Sequence, residues 1–190
     1  MDKNIHVVDI SLNNINDGVN DWTSENYNTV KSWQDDIKKC IFIYQAHLDK
    51  INKYLKISLI IILIVSSLVV LIGGLNVLLG VLDIKWVLFS LNVISLVGSV
   101  IVTIMTGLIK LNNWQESILV LSKYLQSLEL TWFNIEIELR INSDQRQNAK
   151  DFIKRLDGEY LFLMRSQPPL KTSEFNMYEQ KYKNDHLTFN

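Results

Sequence analysis

The chain has 190 residues, of which 21% are charged and 48% hydrophobic, enough for one domain and too few for several. A formal net charge of −1, with no Lys/Arg stripe to track phosphates, argues against nucleic-acid binding. Cys40 is the only cysteine, which excludes an intrachain disulfide framework and a cysteine-based metal site; a small buried hydrophobe in a cytosol-like compartment is its expected role.

Residues 1–28 are rich in Asn and Asp, and no apolar run there resembles a secretory signal, so they are expected to form a flexible N-terminal segment. From Trp33 onward, Ile37, Ile41, Tyr44, Leu48, Ile51 and Leu55 recur at steps of three and four, with Asp35, Lys38, Lys39 and Lys50 between them. This is the pattern of an amphipathic helix, and no Gly or Pro interrupts the chain between it and the first long apolar stretch.

Two uncharged stretches come next, 57–79 and 86–109, each above the roughly 20 apolar residues that a helix needs to cross the hydrocarbon core. Gly80 to Lys85 between them carries the only charges of the region, Asp83 and Lys85, and is short enough only for a reversal. Two spans joined so tightly place both termini on one side. Lys38, Lys39, Lys50, Lys53, Lys56 and Lys110 flank the open end against Lys85 at the turn, which predicts cytoplasmic termini and Trp86 as an interfacial aromatic on the far side.

Leu111, Trp114, Ile118, Leu121, Leu125, Leu128, Trp132, Ile135 and Leu139 form a second amphipathic stripe. Residues 135–141 also alternate as a strand would, but the helical stripe runs into them and no second strand stands nearby to pair with. Asn142, Ser143 and Asp144 should end this helix and cap the next, with Gln145 completing a capping box. Phe152, Ile153, Leu156, Tyr160 and Leu163 give that next helix its buried side, and Pro168–Pro169 stops it. The tail, 170–190, is polar with Phe175, Tyr178, Tyr182 and Phe189, a composition suited to docking a cytosolic protein partner. The expected fold is therefore all-α and integral to the membrane: a two-helix transmembrane hairpin with a cytosolic helical bundle, its stripes suited to coiled-coil-like pairing.

Within the second span, Asn92, Ser95, Ser99, Thr103 and Thr106 fall in an arc of about 80° at 100° per residue. In the first, Ser58, Ser66, Gly73 and Asn76 do the same. Such faces either line a water-filled path or let helices approach and hydrogen-bond, and both readings imply association, hence a homo-oligomer. Gly73–Gly74 offers a hinge. Catalytic and cofactor chemistry finds no foothold. His6, His47 and His186 are not at metal-ligand spacing, Glu136 and Glu138 point to different sides of a helix as solvated carboxylates would, and no phosphate loop or nucleophile elbow is present.

From Trp33 to Pro169 the order of elements resembles the SLATT group, the SMODS and SLOG-associating two-transmembrane domain of bacterial nucleotide-second-messenger conflict systems. The resemblance rests on the helix entered at Trp33, the short hairpin, the long helix bearing Lys123-Tyr124-Leu125-Gln126-Ser127-Leu128, and a last helix through Gly158-Glu159-Tyr160 closed by Pro168–Pro169. It implies a domain over 29–169 that oligomerises in the lipid bilayer and perforates it. No nucleotide-sensor domain is visible and the ends are Asn-rich, a departure that keeps open a structural or scaffolding anchor, for example a viral membrane component.

Overall fold

The computed structural model describes residues 19–80 and 85–187. These residues are all helical: a short turn at Val19–Asp21, then α1 (Ser24–Gly80), α2 (Lys85–Leu111), α3 (Trp114–Arg140), α4 (Ala149–Arg165) and α5 (Thr172–Leu187), with no strand among the described residues. The amphipathic stretch and the first apolar stretch are one helix, as the lack of a breaker between them implies. Residues 135–140 are helical too, so tertiary context prevails over the local alternation.

Asn112 and Asn113 separate α2 from α3. Asn113 takes φ 46°, a left-handed conformation that Asn tolerates better than most residues, and its N–H closes on the Lys110 carbonyl as in a helix C-cap. Leu111, expected on the buried stripe of the following helix, instead ends α2 with its side chain exposed.

The chain divides into two compact units, Met1–Tyr44 with Lys123–Asn190, and Gln45–Ser122. In the first, Val30, Ile37, Ile43 and Tyr44 of α1 are buried with Leu128 and Ile135 of α3 and Phe152, Leu156 and Leu163 of α4. Each such side chain contributes roughly 1.5–3 kcal/mol. Aromatic pairs join the helices: Trp33 stacks on Tyr160 of α4 at 5.3 Å, Tyr44 meets Tyr124 of α3 edge-on at 4.9 Å, and Phe42 meets Tyr182 of α5 at 5.4 Å.

Two expectations change here. The α4 cap is Asn148, whose side chain accepts from the Lys150 N–H, and not Asn142. The reason lies in what holds 141–147 out of a helix. Arg146 donates to the Ile141 and Leu139 carbonyls that end α3, Glu138 takes the Gln147 N–H, and the Trp22 indole donates to the Gln147 carbonyl. Glu136 and Glu138 are accordingly structural, since Glu138 is only 4% exposed and Glu136 accepts from the buried Gln34 and from Arg140.

The ends also differ from expectation. Within the segment expected to be flexible, Trp22 is 1% exposed against Phe152, and Asp21 pairs with Asn148 and Lys150. The tail forms α5, where Tyr178 is buried, Tyr182 lies on Phe42 and Glu179 pairs with Lys39, so these aromatics pack within the unit. Phe189, His6 and Asp83 lie outside the described residues.

Candidate functional site

The second unit holds the apolar stretches. Their α1 and α2 segments run antiparallel, with Tyr54 stacked on Trp114 at 6.4 Å, Val69 against Gly98, and Asn76 against Asn92. The buried or half-buried positions are Ile51, Leu55, Ser58, Ile62, Val65, Val69, Ile72, Asn76 and Leu79 on α1, and Leu88, Leu91, Ser95, Gly98, Val102, Met105 and Ile109 on α2, with Ser66 and Gly107 beside them. Alternating steps of three and four are the spacing at which one helix meets another over many turns.

This seam sorts the candidate residues. Ser58, Ser66 and Asn76 turn toward α2 or its edge, which is the packing role for the polar set of the first span. Gly73 does not belong with them, because a Cβ built there meets nothing within 4 Å and α1 continues through Gly73 and Gly74 to Gly80. On α2 only Ser95 sits on the seam. Asn92, Ser99, Thr103 and Thr106 lie one residue further round and stay exposed, forming a polar flank that α1 reaches only where Asn76 bonds to Asn92.

The hydrogen bonds of that flank are largely local. Ser99, Thr103 and Thr106 donate to the carbonyls of Ser95, Ser99 and Val102, at 2.9, 2.9 and 2.8 Å, the i−4 arrangement that satisfies a hydroxyl donor within its own helix. The Asn76 amide donates to Asn92 Oδ1 at 2.9 Å, so the two amides of the hairpin meet each other first. Asn76 Oδ1 is buried and accepts nothing, leaving one unmet acceptor beside the flank.

Sequence reasoning passed over Gly98. A Cβ at this position would sit 2.6 Å from Val69 Cγ2 and 3.5 Å from Val65 Cγ1, so glycine is what lets the helices come this close. The sequence offered the small pair Gly98–Ser99, of the kind that lets helices approach, but not which face α1 meets.

Several titratable groups of the first unit are shifted by burial. Burial pushes the Cys40 thiol up to about 11, with Asp36 adding to the shift and Lys39 opposing it, so the thiol stays protonated at neutral pH. Burial likewise holds Tyr44 and Tyr160 at about 12. Their hydroxyls donate to the Pro168 carbonyl and to Asp36, and that of Tyr124 donates to the Leu163 carbonyl. A polar cleft of about 430 Å³ lies between α1 and the end of α3. Its cations are already engaged, Lys31 with Gln34, Arg140 with Glu136 and Arg146 with carbonyls. Among the described residues no three His, Cys, Asp or Glu side chains converge as metal ligands.

The fold thus defines an all-helical protein with two helices long and apolar enough to cross a membrane. Comparison with protein-family models, with curated proteins and with solved structures found no match.

Proposed function

We propose that the chain is an integral membrane protein that self-associates through the exposed polar flank of α2 and forms a pore-like or channel-like homo-oligomer. The observation that carries this reading is the position of Ser99, Thr103 and Thr106, on the side of α2 that α1 leaves open, with Asn92 exposed at the edge of that side. In the two apolar stretches only Ser58 and Gly98 are fully buried and most side chains are exposed, which suits lipid and not the core of a soluble protein, where such helices are mostly buried. In hydrocarbon a polar flank needs a partner or water, and the unmet Asn76 acceptor sits next to it.

Orientation comes from the lysines. Lys53, Lys56 and Lys110 gather where Tyr54 stacks on Trp114, while Lys85 and the 82%-exposed Trp86 mark the other end, and this asymmetry favours cytoplasmic termini. The SLATT-like order of elements supports the same assembly.

An anchor without conductance is the second reading, favoured by the Asn76–Asn92 bond and the back-bonded hydroxyls, which reduce what the flank demands of a neighbour. Planar-bilayer conductance of the purified chain separates the two. The pore reading expects conductance that Asn92→Leu and Thr103→Leu strongly reduce; unchanged conductance and oligomer size in both variants would reject this lining, and no conductance from the native chain would leave the anchor.

A further inference from the structure

In the middle of α1, at the lysine-rich start of the first apolar stretch, Asn52, Leu55, Lys56, Leu59, Ile60 and Leu63 line an open trough of about 430 Å³. These positions form one stripe along the helix at successive steps of three and one. The trough is ordered by polarity: Asn52 and Lys56 stand at one end and Leu59, Ile60 and Leu63 continue along the apolar stretch. Lys56 makes no ion pair among the described residues, and Lys53 and Lys110 nearby add positive charge, whereas the adjacent Asp49 already accepts from Gln45. A bare ammonium above an apolar channel calls for an amphiphile with a negative head.

We infer that this trough holds an anionic phospholipid of the surrounding bilayer, its phosphate on the Lys56 ammonium and an acyl chain along Leu59, Ile60 and Leu63. The inference rests on the membrane reading above. Charge complementarity selects the anionic lipid over a zwitterionic one, because a choline or ethanolamine group would return the positive charge that Lys56 already supplies. Asn52, one turn before Lys56, offers an amide donor to the same headgroup. Neither the turn end of the hairpin, where Lys85 stands with Trp86 and Phe89, nor Lys53, which is outside the trough, combines these features.

The test reconstitutes the full chain in phosphatidylcholine bilayers and measures the motionally restricted fraction of spin-labelled phosphatidylglycerol against that of spin-labelled phosphatidylcholine. The native chain should prefer phosphatidylglycerol. Lys56→Gln should lower that preference about fivefold, the usual contribution of one basic residue near an anionic surface, and Lys53→Gln and Lys85→Gln, whose side chains do not line the trough, by less than about twofold. Added inorganic phosphate should leave the preference in place. No preference in the native chain, an equal loss in Lys53→Gln, or full competition by inorganic phosphate would overturn the lipid site. Flotation of the same samples keeps the two ideas apart: a chain that fails to float with vesicles refutes the membrane reading itself, whereas a floating chain without the preference refutes only the site.

Discussion

Replacing Gly98 by alanine tests the hairpin where it is tightest. The added methyl would lie 2.6 Å from Val69 Cγ2, against an ordinary contact of 3.4–4 Å, so the neighbours must part by about 1 Å. Val69 cannot easily turn aside, because a β-branched residue in a helix has one strongly preferred rotamer. Overpacking of this kind costs about 1–3 kcal/mol, and the gain in helix propensity from Gly to Ala offsets at most about 1 kcal/mol of it. Gly98→Ala should therefore destabilise the hairpin by about 1–2 kcal/mol. Gly73→Ala, Gly74→Ala and Gly107→Ala, whose added methyls meet nothing within 4 Å, should be neutral or mildly stabilising. Unfolding in detergent or bicelles, monitored by circular dichroism, reads the difference. Val69→Ala should rescue Gly98→Ala, giving a coupling of about 0.5–3 kcal/mol in a double-mutant cycle. A Gly98→Ala protein as stable as Gly73→Ala, or the absence of coupling to Val69, would refute the close approach and the register derived from it.

Trp22→Ala should cost about 3–5 kcal/mol, since the ring is buried against Phe152 and its N–H holds the Gln147 carbonyl; a thermal midpoint unchanged from the native chain would show that residues 19–23 do not anchor the α3–α4 connection. Acid should loosen both ends of the first unit. Asp21 is held below the usual carboxylate range by its hydrogen bond from Asn148 and by Lys150, and Glu179 by its hydrogen bonds from Lys39 and Lys183. A depressed folded-state pKa gives stability that is present above the ordinary carboxylate pKa and is lost as pH falls through the depressed value. Proteolytic or hydrogen-exchange protection of α5 should accordingly decline below about pH 4, and less so in Glu179→Gln, where part of the loss has already occurred; a flat profile in the native chain would contradict the ion pairs.

The helices and the hairpin were legible because apolar length and the 3.6-residue stripe are properties of contiguous residues. Ile37, Tyr44, Leu125, Phe152 and Leu163 were readable as core for that reason. What escaped depends on contacts between distant residues. Asn142 looked like the better cap, and only the bonds of Arg146, Glu138 and Trp22 to residues 139–147 move the cap to Asn148. Trp22 lay in a segment expected to be flexible and Tyr182 in a tail expected to dock a partner, because the rings they meet, Phe152 and Phe42, lie more than a hundred residues away. The polar arc of the second span was legible as an arc, but not its position relative to the seam. Sequence could count five polar residues within about 80°, while only the pairing of α1 with α2 puts Ser95 inside and the other four outside. Nor does a lone hairpin have to leave each amide without a partner, since Asn76 and Asn92 bond to each other.

Crosslinking inside the membrane asks directly whether that outside flank is an interface. Single cysteines at Ser99 and Thr106, in a Cys40→Ser background, are compared with cysteines at Val93 and Ile104, which are exposed on the opposite flank of α2. Assembly through the polar flank requires crosslinked species from Ser99 and Thr106 and monomer from Val93 and Ile104. Equal crosslinking from both flanks, or monomer from all four, would contradict it.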